Sequence, residues 1–414
     1  MDIILRNIGT LVTCAGHGSE PVKREALQDA GVQSGMAVAI KDGLIVEVGS
    51  EKTILELADA ETKIVDAEGC LVMPGFVDPH THLVYAGDRA HEWALKLQGV
   101  SYLEILKKGG GILNSVAKTR AAGKQALKFQ TAKRLQGMLR GGITTVEIKS
   151  GYGLDLEHEL LQLQVMAELS REQAMDIIPT FMGAHATPTE YLHDPAAYVD
   201  LVINEMIPAV AKQGIARFCD VFCETGVFTP TDSKRILLAG RQYGLQSKVH
   251  ADELAVSGGS DLAAEIQAIS ADHLLETADD SMAAMAKANV IGVCLPATSF
   301  NLAKGKYARA RRMIELGMAV ALSTDANPGS SPTESMQFVL SLACLYLKLT
   351  PAEAILAATL NAAHAIGMAD QVGSIEAGKQ ADFILMDAPS IDYLPYHFAM
   401  NHVYRVYKRG LPVV

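Results

Sequence analysis

Side chains that can bind a metal ion or move a proton follow several short apolar runs of this sequence. His80 and His82 are separated by one residue, so on an extended backbone both imidazole rings point to the same side. Imidazole nitrogens that converge with a carboxylate suit zinc, iron or a similar transition metal ion. A His-x-His pair alone occurs by chance in many chains, but the further residues at the ends of other runs favour a metal site. These further residues are His185, His250, Glu253, His273 and Asp325.

The runs that carry these residues alternate with longer amphipathic segments of helical spacing. This alternation predicts βα units and a parallel sheet, and eight units suggest a (β/α)8 barrel over residues 74–365. The C-terminal ends of barrel strands and the loops after them converge on one face, which is where these side chains would lie. The predicted strands are 75–80, 143–149, 176–185, 218–224, 245–251, 268–274, 290–296 and 318–326.

The two ends of the chain show short β segments and turns instead. Residues 1–73 contain the turn pair Asp42-Gly43 and predict an antiparallel β module. Residues 366–414 return to the same pattern and are expected to rejoin that module. The predicted fold class is therefore α/β, a TIM-like barrel with a small composite β-sandwich domain built from both termini. Without an extended linker, this domain should pack against the barrel.

Composition and charge exclude several classes of function. The chain has 36 Lys and Arg against 47 Asp and Glu, a net charge of −11, which disfavours nucleic acid and anionic membranes as partners. Its six cysteines form no Cys-x-x-Cys pair, which is typical of a reducing compartment. Asp2 and Arg6 do not fit a signal peptide, and no segment reaches about 18 uncharged apolar residues. We expect a cytoplasmic protein with a small-molecule substrate.

Longer motifs around these residues resemble the amidohydrolase superfamily over essentially the whole chain. PGFVDPHTHLVYAGDR at 74–89 is similar to its first-strand motif, HADE at 250–253 to the fifth, and STDANPGS at 323–330 to the eighth. GSIEAGKQADFILMD is similar to its closing β segment. Together with GGGI, EIKSGYGLD, GAHATP and SADHL, the set closely resembles the imidazolonepropionase family. That resemblance implies hydrolytic opening of 4-imidazolone-5-propanoate to N-formimidoyl-L-glutamate in histidine degradation.

The resemblance also implies the metal site and the assembly. The ligands would be His80, His82, His250 and Asp325, holding one Zn or Fe ion per subunit of a homodimer. Two-metal members of the superfamily usually carry a carboxylated lysine at the end of strand four, where this chain has FCDVFCE. A mononuclear site is therefore expected, and the choice between Zn and Fe stays open because imidazole and carboxylate accept either ion.

The implied substrate contacts and catalytic groups lie in the same motifs. Arg89 is expected to bind the propionate, because a guanidinium fork matches a carboxylate. Glu253 would carry a proton to the leaving nitrogen or hold a ligand histidine, and His273 and Asp325 would orient the water or accept its proton. Which of these groups carries each proton stays open. The resemblance implies further contacts to the substrate or product from Tyr102, Tyr152, His185, Glu253, Asn327, Gly329 and Ser330.

Some alternatives remain at this level. A nucleobase deaminase of the cytosine or guanine type would show the same metal motifs, and a barrel that binds ligands without catalysis is a second alternative. Asn327 and Ser330 could instead cap the helix that follows them. Lys149 and Lys248 are expected to have a structural role, neutralising Glu147 inside the barrel.

Overall fold

The computed structural model describes residues 1–100, 104, 109–303 and 305–414. Its strands form a four-stranded sheet, a six-stranded sheet and an eight-stranded sheet. In chain order the strands are β1 (Ile3–Arg6), β2 (Thr10–Val12), β3 (Val32–Gln33), β4 (Met36–Lys41), β5 (Leu44–Ser50), β6 (Lys63–Asp66), β7 (Leu71–Pro74), β8 (Phe76–Asp78), β9 (Ile143–Lys149), β10 (Asp176–Ala184), β11 (Phe218–Cys223), β12 (Gln246–Ala251), β13 (Ser270–His273), β14 (Ile291–Cys294), β15 (Val320–Leu322), β16 (Phe383–Met386), β17 (Val403–Lys408) and β18 (Leu411–Pro412).

Helices follow most strands of the eight-stranded sheet. The α-helices are α1 (Glu51–Leu55), α2 (Ala90–Leu97), α3 (Ile112–Arg140), α4 (Leu156–Glu172), α5 (Pro195–Leu201), α6 (Ile207–Gln213), α7 (Pro230–Gln242), α8 (Gly259–Glu265), α9 (Asp279–Lys287), α10 (Pro296–Leu302), α11 (Ala310–Glu315), α12 (Met336–Tyr346), α13 (Pro351–Ala358), α14 (Leu360–Ala365) and α15 (Tyr393–Tyr396).

The eight-stranded sheet is the predicted barrel. Strands β8 to β15 pair in sequence order, and every pair is parallel. All residues of β9 are buried, as expected for a parallel strand covered on both faces. Between β15 and β8 the barrel is closed by contacts rather than a ladder: the His82 amide donates to the Ala326 carbonyl at 3.0 Å. Asp78 also accepts hydrogen bonds from Ser323 and Thr324.

The last barrel strand is shorter than its apolar run predicted. The run extends over 318–326, but β15 ends at Leu322. Asp325 has a φ of +53°, which lies outside the β region. The chain therefore leaves the sheet before Asp325 and turns this carboxylate into the mouth of the barrel.

The two smaller sheets form the predicted sandwich from both ends of the chain. The four-stranded sheet has the order β5-β4-β1-β6, and the six-stranded sheet the order β18-β17-β16-β7-β2-β3. Leu5 and Ile40 of the first sheet and Phe383 and Tyr407 of the second belong to one buried apolar cluster. The six-stranded sheet thus joins strands from before and after the barrel, which confirms the composite β-sandwich.

The prediction that residues 1–73 form an antiparallel module is wrong in part. Strand β6 runs parallel to β1, and β7 runs parallel to β2. Parallel neighbours need a crossover connection, and the segment with α1 supplies one between β5 and β6. The sandwich also contacts the barrel: Lys408 of β17 forms an ion pair with Asp176 of β10 at 2.6 Å. None of the helices in the described ranges is long and apolar enough to span a membrane.

Candidate metal and active site

The four predicted metal ligands meet at the C-terminal mouth of the barrel. His80 and His82 follow β8, His250 lies on β12, and Asp325 follows β15. The ligand nitrogens of the three histidines lie within 4.8 Å of one another. Asp325 Oδ1 is 3.5 Å from His80 Nε2 and 3.7 Å from His82 Nε2. Residues as distant in the sequence as His80 and Asp325 therefore bring their donor atoms around one point.

The chemistry of these donors fits a metal ion. His82 Nε2 and His250 Nε2 face each other at 3.4 Å, and the buried His80 Nε2 has no hydrogen-bond partner within the described part of the chain. Burial, reinforced by the nearby Lys149 ammonium, lowers the pKa of His80 and His82 well below the usual value. Neutral imidazoles with free electron pairs are the form that binds a metal. His80 and His82 can therefore bind a transition metal ion without first losing a proton.

Two aspartates that the sequence reasoning missed hold the ligand histidines from behind. Asp272 lies 2.6 Å from His80 Nδ1, and Asp220 lies 3.0 Å from His250 Nδ1. A carboxylate on the second ring nitrogen fixes the tautomer and turns the other nitrogen toward the ion. A charged residue inside a buried strand was the sequence signal available for both, since Asp220 is on β11 and Asp272 on β13.

The two buried lysines differ in their partners. Lys149 Nζ lies 2.8 Å from Glu147 Oε1, so its predicted pairing with Glu147 is confirmed. Lys248 was expected to do the same, but its ammonium donates to the carbonyls of Pro79 and Ala365 at 3.1 and 3.3 Å. Lys248 thus links β12 to the residue that follows β8 and to the end of helix α14.

The two candidate proton carriers lie beside the ligand cluster. His273 Nδ1 is 3.7 Å from Glu253 Oε2, and the His273 ring centroid is 5.2 Å from that of His250. Thr298 Oγ1 donates to Asp325 Oδ2 at 2.5 Å. Burial raises the pKa of Asp325 to about 7, which a bound cation would oppose by favouring the carboxylate.

Arg89 contacts the loop that follows Asp325. Its Nε donates to Glu92 Oε2 at 2.9 Å, and its guanidinium lies so close to Gly329 that a Cβ there would be 2.1 Å from Nη1. Asn327 Oδ1 accepts hydrogen bonds from the amides of Gly329 and Ser330, both at 2.8 Å. The structure therefore brings Arg89, Asn327, Gly329 and Ser330 together.

Asn327 connects this loop to the metal ligand. Its Nδ2 donates to the Asp325 carbonyl at 2.7 Å and to Ser330 Oγ at 2.9 Å. The alternative that Asn327 and Ser330 cap the following helix is wrong, because Ser335 caps α12 and accepts from the Phe338 amide.

His185 and Tyr152 lie beside His82 of the ligand cluster. The His185 ring stacks on His82 with centroids 4.8 Å apart, and the Tyr152 ring is 5.5 Å from that of His185. His185 Nδ1 is 3.0 Å from the carbonyl oxygen of Gly151, which fixes Nδ1 as the protonated nitrogen. Burial lowers the pKa of His185 to about 3, so this ring is neutral. The prediction for Tyr102 falls outside the described residues.

Two further buried carboxylates shape the loops and were also missed. Glu159 of α4 accepts from the amides of Gly151, Gly153 and Leu154, which ties down the SGYG loop. Glu92 of α2 accepts from the Gly111 amide in GGGI as well as from Arg89. The sequence signal for Glu159 was its position just after the glycine-rich SGYG segment. That for Glu92 was its position three residues after Arg89.

Comparisons with known proteins agree with this site. The amidohydrolase family model matches residues 239–413, and a second amidohydrolase family model matches residues 63–101. The imidazolonepropionase of Alkaliphilus oremlandii is 51% identical over 100% of this chain and 98% of its own length. That of Geobacillus kaustophilus is 50% identical over 100% of this chain and 98% of its own.

Solved structures support the fold. Guanine deaminase of Escherichia coli has a TM-score of 0.78 at 16% identity and covers 99% of this chain and 98% of its own. A zinc-bound adenosine deaminase from Xanthomonas campestris has a TM-score of 0.72 at 19% identity, over 99% and 92% of the two chains. At 16% and 19% identity these likenesses show the fold alone, whereas the relatives near 50% identity show the family. The chain belongs to the imidazolonepropionase family of amidohydrolases.

Proposed function

We propose that the chain hydrolyses the ring amide of 4-imidazolone-5-propanoate and releases N-formimidoyl-L-glutamate. The observation that carries this proposal is the connection between two kinds of group. Asn327 contacts both Asp325, one of the metal donors, and the Gly329 loop, against which the Arg89 guanidinium packs. A substrate with a reactive carbonyl and a carboxylate matches these two kinds of group.

The metal site is proposed to hold one Zn or Fe ion. His80, His82, His250 and Asp325 would be its ligands, and two of the imidazoles are already oriented by Asp272 and Asp220. When bound, such an ion would lower the pKa of a water molecule toward neutrality and so supply a nucleophile.

Arg89 would bind the propionate of the substrate. The Arg89 side chain is only 17% exposed, and its Nε donates a hydrogen bond to Glu92. Both features restrict the orientation of the guanidinium and of its remaining N–H groups. Charge-assisted hydrogen bonds to a carboxylate are stronger than neutral ones. His185 and Tyr152, close to His82, would contact the imidazolone ring.

The ring-opening step needs one proton acceptor and one proton donor. Water adds its oxygen to the ring carbonyl, the carbonyl C–N bond breaks, and a proton must reach the leaving nitrogen. Asp325 and His273 would orient the water or accept its proton, and Glu253, beside His273, would deliver a proton to the nitrogen. The roles of these groups rest on their positions beside the ligand cluster.

The test is a direct assay with the purified protein. Loss of imidazolone absorbance and formation of N-formimidoyl-L-glutamate are expected, while ammonia release from a nucleobase without imidazolone turnover would favour the deaminase alternative. Glu253→Gln should retain the metal and lose most of kcat. Loss of metal in that variant would instead assign Glu253 to holding a ligand histidine.

The assembly is a prediction from the family resemblance, and the location is a prediction from the cysteines and the N-terminal sequence. We propose a homodimer in the cytoplasm. Light scattering coupled to size-exclusion chromatography should give twice the mass of 44.2 kDa, and a single-chain mass would contradict the dimer.

A further inference from the structure

A buried ionic network lies directly beneath the metal ligands. The side chains of Glu147, Lys149, Asp220 and Asp272 are 0% exposed. Lys149 Nζ is 2.7 Å from Asp220 Oδ2, 2.8 Å from Glu147 Oε1 and 3.7 Å from Asp272 Oδ2. One ammonium therefore faces three carboxylates in the core of the barrel.

Three of these four side chains belong to one layer of the barrel interior. Lys149 is on β9, Asp220 on β11 and Asp272 on β13. In such barrels, the side chains of one interior layer come from alternate strands. The ligand His250 lies on β12 and the ligand His80 follows β8, so both come from the other set of alternate strands.

Two of these carboxylates connect Lys149 to metal ligands. Asp220 contacts the Lys149 ammonium through Oδ2 and His250 Nδ1 through Oδ1, so its carboxylate bridges Lys149 and His250. Asp272 Oδ2 faces both His80 Nδ1 and the Lys149 ammonium, while its Oδ1 accepts from Ser270 at 2.6 Å. Through Lys149, ligands on two separate strands share one support.

We propose that Lys149 is a positioning residue for the metal centre, which holds Asp220 and Asp272 so that His250 and His80 present Nε2 to the ion. This inference rests on the metal site of the proposed function. Buried carboxylates this close repel each other unless a cation lies between them. Without the ammonium they would turn away from one another, and the imidazoles would lose their fixed orientation.

The charge of Lys149 agrees with this role. Burial alone would lower its pKa, but the carboxylates of Asp220, Glu147 and Asp272 raise it above the ordinary value for a lysine. Lys248 has equally little exposure and lies on the adjacent strand β12, yet its ammonium donates to backbone carbonyls and, among the described residues, forms no ion pair within 4.0 Å with Asp220 or Asp272. Lys248 is therefore a matched control for removing a buried ammonium.

The experiment measures metal affinity rather than turnover. Metal-depleted protein is titrated with Zn²⁺ in competition with a chromophoric chelator, for the unaltered chain, Lys149→Met and Lys248→Met. Loss of a contact that supports a metal ligand typically weakens metal affinity by about 10- to 100-fold, which is the expectation for Lys149→Met. Lys248→Met should keep the affinity of the unaltered chain.

A second variant guards against misfolding. Lys149→Met leaves three carboxylates without their cation and can unfold the barrel, whereas the double change Glu147→Gln with Lys149→Met removes one charge of each sign. A glutamine at 147 still accepts the hydrogen bond that Thr180 donates to Glu147. The double variant should fold, bind Zn²⁺ about 10- to 100-fold more weakly, and show an altered visible spectrum with Co²⁺.

The outcomes separate this inference from the proposed function. If the unaltered chain binds no metal, the metal site itself is wrong. If it binds Zn²⁺ and the double variant has the same dissociation constant and the same Co²⁺ spectrum, Lys149 does not position the ligands. Equal weakening in Lys248→Met would also overturn the inference, because any buried ammonium would then serve.

Discussion

Gly329→Ala should weaken substrate binding through Arg89 without altering the metal. A Cβ at this position would lie 2.1 Å from Arg89 Nη1 and 3.0 Å from its Cζ, distances that force the guanidinium to move. Gly329 does not have a positive φ, so its backbone accepts alanine. Loss of a hydrogen bond to a charged group costs about 1.5–3 kcal/mol, which corresponds to a fall in kcat/KM of about 10- to 150-fold.

The assay is the rate of imidazolone loss at varied substrate concentration. The change should come mainly from KM, because Arg89 contacts the carboxylate in the ground state and in the transition state alike. Arg89→Ala should produce a similar increase in KM. Gly137→Ala on α3 is the control, since a Cβ there would be 3.4 Å from Glu334 Oε2, an ordinary van der Waals contact. An unchanged KM in Gly329→Ala would refute the assignment of Arg89 to the propionate.

Other substitutions test the metal site, a loop and the stability of the barrel. His250→Ala should abolish both bound metal and turnover, as measured by metal analysis and the imidazolone assay; a metal-free variant with normal activity would contradict the site. Gly151→Ala should cost about 1–3 kcal/mol of strain and displace His185, since φ is +103° and the new Cβ would lie 2.8 Å from His185 Nδ1. Its melting temperature and kcat should both fall, and normal values would contradict the tight contact. Glu353→Ala removes the capping box with Thr350 and should lower stability by about 1 kcal/mol in chemical unfolding, with KM unchanged.

The sequence predicted the elements whose signals are local. The run 143–149 became a strand with the same bounds, because each of its residues is buried on one face or the other. His80 and His82 were recognised as a pair since a strand places alternate side chains on one side. The STDANPGS motif was recognised by its resemblance to the superfamily, and its loop contacts Arg89.

The residues that sequence reasoning missed depend on contacts between distant strands. Asp272 is 192 residues from His80, and Asp220 is 30 residues from His250, so no spacing rule connects either pair. The same limit explains why the prediction for Lys248 was wrong. Lys248, like Lys149, is a lysine inside a buried strand, but its ammonium donates to backbone carbonyls instead of pairing with carboxylates.

The alternation of layers gives a physical reason for this division. A β-strand fixes which side chains point into the barrel, so phase alone identifies the ionisable residues of the interior. The partner of each ionisable side chain depends on the register between neighbouring strands. Asp220 and Lys248 are opposite each other in the β11–β12 ladder, yet the Asp220 side chain bonds to His250 and that of Lys248 to the Pro79 carbonyl. Lys149 contacts carboxylates on β11 and β13 because alternate strands share a layer. Adding one residue within β9 would move Lys149 out of that layer, and both ligand histidines would lose their common support.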